Sequence, residues 1–159
     1  MADIVSRKKR SKMMANIKGQ NTKPEILIRK SLFKLGYRYT LHNRKLPSKP
    51  DIYLAKYQVV ILVNGCFWHV HDCHLFKLPK TRTEFWQEKL SKNISRDLLN
   101  FDKLRKLGFR VAIVWECSLK GKFKLELEDI VNRLDDFIKS DEETICITGQ
   151  DQGCETKFI

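Results

Sequence analysis

An α/β fold, with a small mixed sheet held between helical layers, is predicted by three observations. Two capping-box patterns, Thr22-Lys23-Pro24-Glu25 and Thr81-Arg82-Thr83-Glu84, each open a segment with apolar residues at helical spacing. Two compact apolar runs, 57–63 and 109–115, read as core strands. Helix, strands, long helix, strand and helix then follow one another along the chain, an order that suits a sheet covered on both faces. At 159 residues the chain suffices for one domain with a hydrophobic core.

Residues 1–21 are polar and basic, with Met13, Met14 and Ile17 the only recurrent apolar positions. They read as an arm with a short helical turn that orders on a partner. Residues 22–139 form the domain. Its first helix runs from the Thr22 cap to Gly36, with Leu27, Ser31, Leu32 and Leu35 on the inner face. Glu25 either caps this helix or supports a site. Residues 37–41 and 51–54 form short strands around the turns at Pro47 and Pro50, and the stronger strand 57–63 ends at Asn64-Gly65. After Pro79 the long helix reaches Leu107 and stops at Gly108, its inner stripe being Phe85, Leu90, Ile94, Leu98, Phe101 and Leu104 or Leu107. Strand 109–115 leads to Cys117, and helix 125–138 closes the domain with Leu127, Ile130, Val131, Leu134 and Ile138 inward. Residues 140–159 read as a polar tail carrying Cys146 and Cys154, without a companion pair at metal-site spacing.

Charge narrows the partner. Thirty-one Lys and Arg against nineteen Asp and Glu give a net charge of +12, which favours a polyanion and makes binding salt-dependent. The basic residues are spread along the chain and flank no single amphipathic anchor, so nucleic acid is favoured over a membrane. No apolar run approaches 18 residues and the first ten lack an apolar centre, so a cytoplasmic protein is expected. There the five cysteines read as metal ligands or core residues in preference to disulfides.

Chemistry concentrates in Gly65-Cys66-Phe67-Trp68-His69-Val70-His71-Asp72-Cys73. Cys66, His71, Cys73 and the distant Cys117 form a thiolate-rich tetrahedral donor set suited to structural zinc. Cys66 and Cys117 equally suit buried small apolar roles, and Asp72 and His74 are alternative donors. His69 is left as a neutral imidazole that can take a proton from water attacking a phosphodiester. Asp51, at the start of a strand, is the hard ligand for a magnesium ion, or else a turn carboxylate. Asp97 either orients His69 or is a solvated helix residue; periodicity alone favours the second. Phe67 and Trp68 are candidate wedges for a base stack, whereas Trp86 equally suits the core. Lys77, Lys80, Arg82, Lys89, Lys92 and Arg96 are candidate phosphate contacts.

Taken together with Pro50-Asp51-Ile52, Phe85-Trp86, Asn93-Ile94-Ser95-Arg96-Asp97 and Val114-Trp115-Glu116-Cys117, these motifs resemble the very short patch repair (Vsr) endonuclease family over about residues 8–138. The resemblance implies a restriction-endonuclease-like three-layer fold and a nick 5′ of the thymine in a T:G mismatch within double-stranded DNA. It implies Mg2+ at Asp51 and the Val63 backbone oxygen, His69 as general base, Asp97 and Glu25 as support, and Zn2+ at Cys66, His71, Cys73 and Cys117. Phe67, Trp68 and Trp86 would enter the major groove and the Met13-Met14 region the minor groove, with Lys89, Lys92 and Arg96 beside them. Mismatch-repair proteins are implied partners. Asn64 stands where some relatives carry His.

Three other function classes compete. A zinc-containing DNA-binding module leaves Asp51 and His69 without a joint purpose; a double-strand restriction enzyme needs two active sites, whereas a monomer suits nicking. An RNA-binding protein lacks a stacking module here.

Overall fold

A computed structural model describes residues 5–17, 19–150 and 152–155. Helix α1 (Arg7–Ala15) precedes α2 (Lys23–Lys34), followed by strands β1 (Thr40–Leu41), β2 (Ile52–Leu54) and β3 (Val59–Asn64). Helix α3 (Thr83–Lys106) crosses to β4 (Arg110–Trp115), and α4 (Leu127–Lys139) crosses to β5 (Thr144–Ile147). The sheet order is β1-β2-β3-β4-β5; the first three strands are antiparallel to their neighbours and the last three parallel.

Alternation along β3 and β4 divides the core. Val59, Ile61, Ala112 and Val114 face a cluster that includes Ile28 and Leu32 of α2 and Ile130, Leu134 and Phe137 of α4. Val60 and Val111 face the opposite way, against Leu104 of α3. Strands covered on both faces must be apolar throughout, which is why neither shows a polar face in the sequence. Full burial of each such side chain stabilises the fold by about 1.5–3 kcal/mol. Among the described residues no helix is long and apolar enough to cross a membrane.

Several sequence expectations change. The buried line of α2 is Glu25, Ile28 and Leu32, while Leu35 is exposed at the helix end. The second capping box does not form: Arg82, in the left-handed region at φ 53°, precedes α3 without a side-chain cap. The Thr83 hydroxyl donates instead to the Pro79 carbonyl, tying the helix start to its incoming loop. In α3 only Leu90 and Leu104 are fully buried; Leu98 is 65% exposed and Phe85 and Leu107 lie outside as well. At 1.5 Å per residue this helix is about 36 Å long, more than a strand of six residues can cover. Its carboxyl half packs on the sheet, its amino half on the 66–76 loop, and Leu98 falls between the two.

The stretch expected as a polar tail supplies β5, which adds to the open edge of β4 and buries Ile147. Cys146 and Cys154 are joined in a disulfide, so these two cysteines are neither thiols nor ligands.

Arg110 fastens this edge. Its guanidinium donates to the carbonyls of Phe137, Ile138 and Ser140 at the end of α4, where the intrahelical ladder runs out. Arg110→Met should lower the unfolding free energy by about 2 kcal/mol, read from urea denaturation, since charge-assisted hydrogen bonds are lost while the apolar stem is kept.

Candidate active site and metal centre

Two strand ends build the site. In the parallel pair β3–β4, Asn64 lies opposite Trp115, so both strands finish level. Cys66 and Cys117 each stand two residues beyond those ends and therefore emerge side by side. His71 Nδ1 lies 3.5 Å from each of their sulfurs, and Cys73 completes a group of four whose ligand atoms all lie within 4.8 Å of one another. Cys66, His71 and Cys117 are buried and Cys73 half-buried. The Cys66 thiol is pushed up by its hydrogen bond to Cys117 and by burial, while that same bond, with help from His71 and the Gly149 N–H, favours the Cys117 thiolate. Asp72 is exposed and outside the group, and His74 packs its ring on Phe123.

The 65–73 loop separates its two histidines. Phe67 and Cys66 carbonyls accept from the Val70 and His71 N–H groups, curling the chain, and Val70 takes φ 53°. A β-branched residue in the left-handed region is strained by about 1–3 kcal/mol. Complete burial of the Val70 side chain against Phe76 and Leu90 offsets that strain. His71 consequently turns to the cysteines, stacked on Trp115, while His69 turns to the cleft.

That cleft, about 610 Å³, is lined by Glu25, His42, Asp51, Val63, Asn64 and His69 among others. His69 Nδ1 lies 2.6 Å from Asp97 Oδ2, so the ring can donate there and keep the Nε2 lone pair free. Thus Asp97 of α3, which periodicity favoured as a solvated residue, meets His69. Asp51 precedes β2 and accepts from the Val63 N–H at 2.7 Å. Burial pushes its carboxyl up to about 6; the Val63 N–H and the two histidines oppose this, and the Glu25 charge adds to it. Glu25 serves as a helix cap and also reaches the cleft: its carboxylate accepts from the Asn21 N–H and the Thr22 hydroxyl, and Oε2 lies 3.0 Å from His42 Nε2.

His42 was not singled out from sequence. Antiparallel register sets Leu41 opposite Ile52, which brings His42 beside Asp51, and His42 itself has φ 48°. Its Nε2 lies 3.0 Å from Glu25 and 3.9 Å from Asp51, the three forming a second group able to hold a metal ion. Only the pairing of the two strands reveals it. The segment after β5 was likewise missed: the Gly149 N–H donates to Cys117 Sγ, and the Gly153 carbonyl accepts from His71 Nε2 at 2.6 Å. A Cβ on residue 149 would come within 2.7 Å of the Cys117 carbonyl, so a glycine is needed there.

Phe67 meets Trp68 and Trp86 edge to face and the two indoles are tilted at 55°, with centroids 5.0–5.9 Å apart, in a half-buried group beneath the Lys89 ammonium. Trp68 is further held through its carbonyl by Asn93. Lys92 pairs with Glu88 on the surface, and Arg96 donates to Asn93. Met13 and Met14 project from α1 and are exposed.

Residues 2–75 match the profile of DNA mismatch endonuclease Vsr. The type II nicking enzyme V.NmeAIP of Neisseria meningitidis is 48% identical over 122 residues, covering 77% of this chain and 87% of that protein. DNA mismatch endonuclease Vsr of Escherichia coli is 44% identical over 138 residues, 87% of this chain and 88% of its own. The type II nicking enzyme V.XorIIP of Xanthomonas oryzae is 38% identical over 134 residues, 83% of this chain and 98% of the relative. With identities of this size spanning most of both partners, the chain belongs to the Vsr family of DNA mismatch endonucleases.

Proposed function

We propose that this endonuclease nicks one strand of duplex DNA 5′ of the thymine in a T:G mismatch, using a histidine base and a magnesium ion. The observation that carries the reading is the His69–Asp97 pair facing the Asp51–Glu25 carboxylates across one cleft. Asp97 holds the imidazole so that Nε2 takes a proton from the attacking water, whose oxygen bonds to phosphorus as one P–O bond to the leaving sugar breaks. The leaving sugar oxygen takes a proton from solvent, and loss of the proton from His69 Nε2 returns the pair to its starting state. Two carboxylates brought this close in a half-buried cleft favour a bound cation, and the Asp51 carboxyl is raised chiefly by burial, with the Glu25 charge adding to it. Asp51 and the Val63 carbonyl would hold Mg2+, with Glu25 and His42 beside them; the ion would neutralise charge developing on the phosphate.

Cys66, His71, Cys73 and Cys117 would hold Zn2+ as a structural ion, all four positions being taken by protein. Zinc bonds of about 2.05 Å to nitrogen and 2.3 Å to sulfur, at a tetrahedral angle, set N and S about 3.5 Å apart. Both His71–cysteine separations have that value. His71 Nε2–H donates to Gly153, which fixes the tautomer that leaves Nδ1 for the ion.

The aromatic group of Phe67, Trp68 and Trp86 would enter the major groove at the mismatch, where unstacking is easiest, and Met13 and Met14 would reach the minor groove. Lys89, Lys92 and Arg96 supply phosphate contacts. The protein would act as a monomer with one site, in the cytoplasm, upstream of mismatch-repair partners.

End-labelled duplexes, paired or with one T:G mismatch in varied flanks, test the reading directly. Cutting confined to the thymine strand and requiring magnesium is expected, with His69→Ala retaining affinity and losing at least a hundredfold in single-turnover rate. Cuts in both strands of paired DNA would establish a restriction activity instead.

Asp51→Asn should abolish cutting yet stabilise the magnesium-free protein. Between the ordinary Asp pKa and about 6, the folded parent holds a proton that the unfolded chain has lost, so Asp51's contribution is complete below the lower value and is lost as pH rises through the higher. The gain in unfolding free energy from Asp51→Asn should be small at pH 4 and level off above pH 6, at about 3 kcal/mol. Equal Tm values at pH 8 would contradict this. Cys73→Ala should lower bound zinc, measured by elemental analysis of the purified protein, and make it more easily denatured.

A further inference from the structure

A second cavity, of about 510 Å³, adjoins the cleft and shares Ser48, Lys49 and His69 with it. Three cations, Arg44, Lys49 and Arg96, and the amide of Asn100 line it. Its single carboxylate, Asp97, is already engaged by His69. Among the described residues Arg44 and Lys49 have no carboxylate partner. Apart from His69 no aromatic ring lines the cavity, so it offers a base no stacking surface, and its positive excess repels a metal ion.

The backbone supports a built site. Ser48 and Lys49 are consecutive non-glycine residues in the left-handed region, at φ 68° and 46°, between Pro47 and Pro50. Such geometry is sterically unfavourable for a residue with a side chain and persists where surrounding structure enforces it. Here it sets Ser48 and Lys49 on the wall common to both cavities, immediately before Asp51.

We propose that the second cavity is a phosphate subsite, in which Arg44, Lys49 and Arg96 hold the phosphodiester next to the scissile one on the cut strand. The assignment rests on the nicking function argued above. A strand with its scissile phosphate between Asp51 and His69 passes Lys49 to enter this cavity, and the contact pins the strand beside the bond that breaks. Charge recognition of this kind carries no base preference, so it positions the strand for any flanking sequence.

The test uses the full zinc-loaded chain without magnesium, its affinity for T:G duplexes being read by fluorescence anisotropy over a salt series. The Arg44→Gln/Lys49→Gln double variant should reduce the slope of log affinity against log salt by about one, and each single variant by less, with zinc content and Tm unchanged. One neutral methylphosphonate linkage is then placed at each position flanking the nick in turn. At one of these positions the linkage should weaken the parent more than it weakens the double variant, which has already lost most of its contact with that phosphate. Losses that remain additive at every flanking position, or unaltered salt slopes, would overturn the subsite. A parent that binds duplex but nicks no T:G substrate in magnesium would remove the repair function, while the neutral-linkage comparison would still decide whether the cavity takes a phosphate.

Discussion

The parallel register of β3 and β4 is the constraint on which the rest of the site depends. Because Asn64 stands level with Trp115, the chain leaves both strands at one height, and two cysteines fifty-one positions apart in sequence become neighbours. A one-residue slip would reverse the faces of an entire strand and separate Cys66 from Cys117. The sheet therefore determines whether four potential ligands form one group, and the metal they are proposed to bind would in turn tie the two strand ends together.

A second register serves the cleft. Antiparallel pairing across β1, β2 and β3 sets His42 beside Asp51 and Asp51 within reach of the Val63 N–H, and the amino end of α2 brings Glu25 against them. Glu25 thus joins a helix cap to a reaction site with one carboxylate. Burial raises the Asp51 carboxyl, the nearby Glu25 charge adds to that rise, and His42 partly offsets it. Two carboxylates and an imidazole gathered in this way form a group able to hold a cation.

The 65–73 loop lets two functions share nine residues. Val70, held in the left-handed region by its buried side chain, directs His71 to the cysteines and His69 to the cleft. The segment following β5 closes over the cysteine side, where Gly149 and Gly153 address Cys117 and His71 through backbone groups. Backbone contacts leave no chemical signature in residue type. That is why a stretch with the composition of a tail conceals contacts to the Cys/His group.

The sequence by itself determined what local chemistry and periodicity encode: the Thr22 cap, the two core strands, the amphipathic α4, the positive charge and the identities of the four candidate zinc ligands. It also left His69 without a competing structural task. Tertiary structure decided what depends on alignment between distant segments. Asp97 met His69 because α3 crosses the 65–73 loop, and His42 joined Glu25 and Asp51 through strand pairing. Leu98 stayed exposed because α3 outruns the sheet, and β5 formed because β4 offered an open edge. Periodicity reports which side of an element is apolar; only packing decides which part of that side finds a partner, and which polar residues from elsewhere arrive beside it.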